Sequence, residues 1–308
     1  MAQRVRLLLN RPPGWRSRWA VGTVTCAGLL WHVAAAGAAL PDDLPAQLLT
    51  EPARSLAIEA ANNEVLLIQH PGSYLRYRYH AIDEKGDQTR DQIETPEGSV
   101  ARIVLRNGRP LTSDEDAAER SRLNGILEDP SGFARHIKRE QDNKKMGAKL
   151  IRQMADAFLW SYTPGQPQLS NWPAGSGQLV VLDYKPNPKW SPPDMESTPL
   201  TGVEGRAWVD PRSKYVVHLE ANLTHSVNIG WGMVAHIYPG GTAKVDQANA
   251  GGNRWIVQHI VEKITVRALL VKTINQRVQF DTSDYQAVKA MSVQDAVKLL
   301  LDTPLPQR

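Results

Sequence analysis

Histidine is the residue type with the most chemistry to offer in this chain. Eight are present, and all but His32 follow the first 40 residues. No two stand in the His-Glu-x-x-His spacing that sets a metal pair on one helix face. With a single cysteine, a zinc site would have only scattered histidines and carboxylates to draw on. His218, His225 and His236 fall on or near consecutive expected strands, where they either converge or stand apart as strand-surface imidazoles. Nucleophilic hydrolysis needs a serine on a sharp elbow with a histidine and an acid in reach. Gly175-Ser176-Gly177 lacks the Gly-x-Ser-x-Gly pattern and lies in a Pro- and Gly-rich loop that reads as linker. Gly240-Gly241 and Gly251-Gly252 sit between strands and not between a strand and a helix, so they read as turns and not as phosphate cradles. The expectation is a non-enzymatic protein with no catalytic residues, no metal ligands and no cofactor.

Apolar residues offer more. Trp208, Trp231 and Trp255 all belong to the C-terminal half. With Leu182, Val217, Leu219, Ile229, Ile237, Val257 and Leu270 they can line one face of a curved sheet. That face is either an ordinary core sealed by helices or an apolar cavity for an acyl chain or similar ligand.

The elements that must position these residues centre on Gly205-Arg206-Ala207-Trp208-Val209-Asp210. A turn over Pro211-Arg212-Ser213-Lys214 follows, then a return run from Tyr215 to Ala221. Ala207 and Val209 share one face, Arg206 and Trp208 the other; in the return run Val217, Leu219 and Ala221 alternate with Val216, His218 and Glu220. Two period-2 runs around a short polar turn predict a hairpin. Further strands are expected at Tyr74–His80, Gln88–Glu94, Ser99–Arg106, Gln178–Tyr184, Ser226–Tyr238 (broken at Gly230), Ala243–Asn249, Trp255–Val266, Ala268–Phe280 and Asp281–Val288. Asn107-Gly108 is a hairpin turn, because both residues tolerate positive φ. Helices are expected over Pro52–Ile68, from a capping box at Ser113-Asp114-Glu115-Asp116 to Glu128, from Asp129-Pro130 onward, and over Ser292–Leu301. Met146, Leu150, Met154 and Phe158 recur every four residues as a core-facing stripe, while the basic run Arg135–Lys149 reads as solvated surface. The layout is α+β: an antiparallel meander with helices in its first half.

The first 40 residues are of another kind. Arg4, Arg6, Arg11, Arg16 and Arg18 precede an apolar run, Val21–Leu40, that ends in small residues, and no acid occurs before Asp42. This predicts a signal peptide over 1–38, cleaved after Ala38, followed by one domain over 39–308 with a helical insertion at about 113–160. The alternative is an uncleaved anchor of about 20 apolar residues. Without those five arginines the balance is 31 basic against 32 acidic residues, so the +4 of the whole chain is a targeting feature and nucleic acid is not an expected partner. Cys26 lies inside the signal, leaving no disulfide, thiol nucleophile or lipid anchor; the expected compartment is a bacterial periplasm.

Gly205-Arg206-Ala207-Trp208-Val209-Asp210 with Lys214-Tyr215-Val216-Val217 resembles the outer-membrane lipoprotein-sorting (LolA/LolB-like) superfamily, in which a Gly-x-x-Trp-hydrophobic-Asp strand precedes a turn and a return strand. The likeness covers roughly Gln178 to Val288 and is closest to uncharacterised secreted bacterial members. It implies an open antiparallel half-barrel covered by helices, with a lipid or acyl chain between them. The charged helices from Ser113 to Phe158 are not explained by those carriers. The functional expectation is a soluble periplasmic protein that binds a hydrophobic ligand in envelope lipid or lipoprotein trafficking, without stable membrane insertion. The alternative is a non-catalytic envelope scaffold that uses the sheet as an interaction surface.

Overall fold

The computed structural model describes residues 49, 51–70, 72–84, 86–173, 175–251, 254–269 and 271–306. The expected signal peptide and Leu270 lie outside them. Helix α1 (Ala53–Gln69) leads into strands β1 (Tyr74–Asp83), β2 (Gly86–Glu94), β3 (Ser99–Arg106) and β4 (Arg109–Pro110). Helices α2 (Ser113–Glu128) and α3 (Pro130–Ala157) follow, then β5 (Phe158–Tyr162) and β6 (Val180–Pro186). A short 3-10 helix, Met195–Gly202, precedes β7 (Val203–Val209), β8 (Val216–Leu223), β9 (Val227–Ile229) and β10 (Ala235–Ile237). The chain ends with β11 (Thr242–Asn249), β12 (Trp255–Ala268), β13 (Lys272–Val288) and α4 (Val293–Asp302).

The strands form one open antiparallel sheet in the order β4-β3-β2-β1-β13-β12-β11-β8-β7-β6-β5, with β9 and β10 attached beside β12. Its register sorts side chains into two unlike faces. One cross-strand row reads Leu182, Ala207, Leu219, Val245, Ile260, Phe280, Ala81, Gln88. The row one residue away, on the other face, reads Val181, Trp208, His218, Asp246, His259, Asp281, His80, Thr89. The first row defines the inner face. There α1 seals one end, with Ala53, Leu56, Ala57 and Ala60 packed on Val180, Leu182 and Val209. Helix α3 packs in turn on α1 through Ala148 and Ile151 against Val65 and Ile68. By register Ile93 and Val100 point to the outer face, where α2 and α4 cover them with Leu123, Val297 and Leu300.

Helices α2 and α3 carry the chain from one edge strand of the sheet, β4, to the other, β5. From Glu140, which meets the start of β3, helix α3 runs 17 more residues, about 26 Å, to the start of β5. Side chains cover backbone groups of β3 and groups past the end of β5. Along β3 the Glu119 carboxylate accepts from the Ile103 amide (2.9 Å), Arg122 donates to the Ala101 carbonyl (2.6 Å), and Glu140 accepts from the Ser99 amide (2.9 Å). Beyond β5 the Gln166 and Gln168 amides each accept from and donate to one backbone position, Val181 and Leu179, at 2.8–3.0 Å, as a strand would. These groups of β3 and of Leu179 and Val181 are thereby kept from pairing with another chain. Arg102, 1% exposed, pins the outer layer by donating to the Leu300 and Thr303 carbonyls and to Asp116.

Several expectations shift in detail. The cap of α2 is Thr112, not Ser113, in a full capping box with Glu115. Phe158 leaves the α3 stripe and opens β5. A bulge between Trp208/Val209 and their partners leaves Val217 unpaired and turns Val216 to the Val209 face, so the alternation expected for this strand reverses at its start. Lys272–Val288 is one strand, not two, kinked at Asp284 with φ +57°.

Gly205 is fixed by crowding: a Cβ there would sit 1.9 Å from the Glu220 carbonyl oxygen and 2.7 Å from the Tyr184 hydroxyl. Gly205→Ala is expected to lower the unfolding free energy by about 3 kcal/mol or more, as seen by urea denaturation. Gly108→Ala, where the turn leaves open space but needs positive φ, should lose only about 1 kcal/mol.

Candidate functional site

On the inner face of the central strands the row next to Leu182–Gln88 runs Tyr184, Gly205, Ala221, Ala243, Glu262, Val278. Three of its members are the smallest residues, which lowers the floor of the sheet into a trough. The Tyr184 ring crosses Gly205 to donate to the Glu220 carbonyl at 2.9 Å and closes one end. Leu219, Ala221, Ala243, Val278 and Phe280 are half-buried, in contrast to Val180, Leu182 and Val209 under α1. Tyr79 lies against Phe280 with ring centroids 5.2 Å apart, and the Arg90 guanidinium stands 5.7 Å from the Tyr79 ring centre.

Glu262 sits in this apolar setting at 6% exposure, and its Oε2 has no hydrogen-bond partner. Burial alone pushes its carboxyl up to about 7, because the charged form loses water with no cation or donor to replace it. Glu64 of α1 is the second such group. It is 2% exposed and pushed by burial up to about 8, against the opposing pull of the Val216 amide (3.4 Å) and the nearby Gln247. Its Oε2 and both amide atoms of Gln247 are likewise unpartnered.

The outer row is polar and linked by hydrogen bonds. His218 Nδ1 meets Asp246 at 2.6 Å and its Nε2 lies 3.5 Å from Glu220. His259 Nδ1 bonds Asp281, whose other oxygen is 3.8 Å from His80 Nδ1, and His80 Nε2 meets Asp87 at 2.9 Å. Cross-strand pairing sets Asp246 beside His259, so imidazoles and carboxylates alternate across five strands. Each carboxylate can orient its imidazole as a general base is oriented. Among the described residues no hydrogen bond joins these three histidines to a serine or threonine hydroxyl, and no group of three or more His, Cys, Asp or Glu is arranged to hold a metal ion. A separate open recess of about 430 Å³ lies at the β5 edge, with Phe158 and Trp160 in its wall and the Arg54–Asp156 pair at its rim.

The structure divides the residues expected to line one cavity. Leu182 is on the inner face under α1, and Leu219 and Val257 pack there around Val245, Ile260 and Phe280. Trp208, Val217 and Trp255 join Leu67, Leu179, Val181 and Tyr215 in a closed core, with the Trp208 indole donating to the Pro167 carbonyl at 2.7 Å. Trp231 does not line anything: it is 93% exposed in the turn after β9, because Gly230-Trp231-Gly232 all take positive φ. His218, His225 and His236 do not converge; His225 contacts Thr224, and His236 contacts Asn228. Glu262, Glu64, His80 and His259 were not singled out from sequence. For Glu262 a signal existed: Ile260, Glu262, Ile264 and Val266 share one phase, so an inward carboxylate could be read from the alternation.

No helix of the described residues is long and apolar enough to cross a membrane. No family model and no curated protein matches the chain.

A carboxyl whose pKa rises on folding favours the fold fully below its unfolded value, near 4.5, and loses that contribution as pH climbs through the folded value. The unfolding free energy is therefore expected to fall between about pH 5 and pH 9, and Glu262→Gln should remove about 3 kcal/mol of that fall. Urea denaturation at both pH values checks this.

Proposed function

We propose that this chain binds an apolar or amphipathic ligand, a lipid or acyl chain, between the inner face of its central strands and helices α1 and α3, and that it does so in the cell envelope after export. The observation that carries the reading is the difference within one face: Val180, Leu182 and Val209 are sealed by α1, while Leu219, Ala221, Ala243, Val278 and Phe280 stay half-buried around a trough. Each methylene a ligand buries there gains about 0.8 kcal/mol, which makes a chain of modest length enough for useful affinity. The arginine-led apolar N-terminus supports export. Neither metal nor cofactor has a part in this binding. The resemblance to lipoprotein-sorting carriers points the same way.

Native mass spectrometry and lipid extraction of the chain purified from a periplasm test the reading. A bound lipid at one-to-one stoichiometry is expected, and Ala243→Trp, which fills the trough, should weaken binding of a fluorescent fatty acid by about tenfold or more. A protein that carries no lipid and ignores the probe would return the sheet to a scaffold role.

A further inference from the structure

Among the described residues the four most exposed large apolar side chains are gathered in one place. Trp231 (93% exposed) and Met233 (56%) occupy the β9–β10 turn; Leu269 (62%) and Val271 (87%) occupy the β12–β13 turn. The two turns are joined, since the Leu269 amide donates to the Val234 carbonyl at 3.1 Å. Beneath them lies a small core of its own, with Val227, Ile229, Ala235 and Ile237 packed against Ile264 and Val266. Trp231 and Leu269 both take left-handed backbone, at φ +54° and +49°, a conformation bulky side chains adopt only at a cost, and here it aims them outward.

Charge completes the picture. No acidic residue lies between Glu220 and Asp246 or between Glu262 and Asp281, two of the stretches that build this end of the sheet; the 3-10 helix Met195–Gly202, which packs against β9, adds Glu196. At the tip itself they carry Arg267, opposite Thr273, and the exposed Lys272, opposite Ala268; Lys263 and Arg277 pair six residues down β12 from Leu269, about 20 Å away. On the outer face Glu220, which holds Lys244, lies level with Val261, about 26 Å down β12 from Leu269. An exposed tryptophan with aliphatic neighbours and two cations beside them fits a headgroup interface. Four side chains on a projecting tip fall well short of the roughly 800 Å² per partner that a stable protein interface needs.

We infer that Trp231, Met233, Leu269 and Val271 dock the protein on an anionic lipid surface by entering the headgroup layer, with Arg267 and Lys272 beside them facing lipid phosphate. This surface is separate from the inner trough and does not depend on a ligand being held there. Flotation of the purified chain with vesicles tests it. Binding is expected to phosphatidylcholine vesicles containing about one quarter phosphatidylglycerol, to weaken about tenfold on phosphatidylcholine alone, and to be released near 0.5 M salt. Trp231→Ser with Val271→Ser should lose about tenfold or more in affinity at an unchanged melting temperature, as both side chains are solvent-exposed. A fluorophore attached through Val271→Cys should shift to the blue on the same vesicles, a readout that does not rely on the double variant folding. No binding to anionic vesicles, equal binding by the double variant, or a dye that stays in water would each overturn the inference. So would a dimer that the double variant dissolves, which would give the tip to a second copy of the chain.

Discussion

Everything in this molecule depends on strand register. Side chains alternate between faces with a period of two, so a slip of one residue in any central pair would carry His218, Asp246, His259 and Asp281 inside and turn Leu219, Val245, Ile260 and Phe280 to water. The desolvation of unpaired charges on one side and lost apolar burial on the other make such a slip prohibitive. The outer row therefore does more than decorate the surface. Its alternation of imidazole and carboxylate gives each strand a partner of opposite character in the next, and so specifies pairing across the middle of a wide sheet.

A sheet of this width has two further problems, its shape and its edges, and the helices answer both. Helix α3 meets the β3 end of the sheet through Ile137, Glu140 and Gln141 and runs on into β5, tying opposite edges together. Its first half packs with the outer cluster and its second half with α1 on the inner side. Near the edges Glu119, Arg122 and Glu140 occupy backbone groups of β3, and Gln166 and Gln168 those of Val181 and Leu179 past the end of β5. These are residues that alignment of hydrophobic periods passes over.

Much of the layout is readable along the chain. The Gly205–Ala221 hairpin, the Asn107-Gly108 turn and the caps at Asp129 and Ser292 are local events, set by turn chemistry and alternation within a few residues. The α+β character follows from them. The site is less readable because it is assembled across distant strands. That His80 meets Asp281, or that Ala221 and Ala243 border Glu262, depends on partners up to two hundred residues away. Local rules also fail where one residue is added: the Val217 bulge reverses a face, and the glycines around Trp231 eject a side chain whose type alone argued for the interior.

The two ends of the sheet's strand path lie in the middle of the chain, while β1 and β13 lie side by side at its centre, with Tyr74 opposite Val288. The first four strands have no inner neighbour until the last strand exists. Loop closure over such a span is slow, and a chain emerging residue by residue cannot complete its sheet before synthesis is almost finished. Until then two part-sheets stand with open edges at β1 and β12, and the fold locks only when the last strand fills the gap between them.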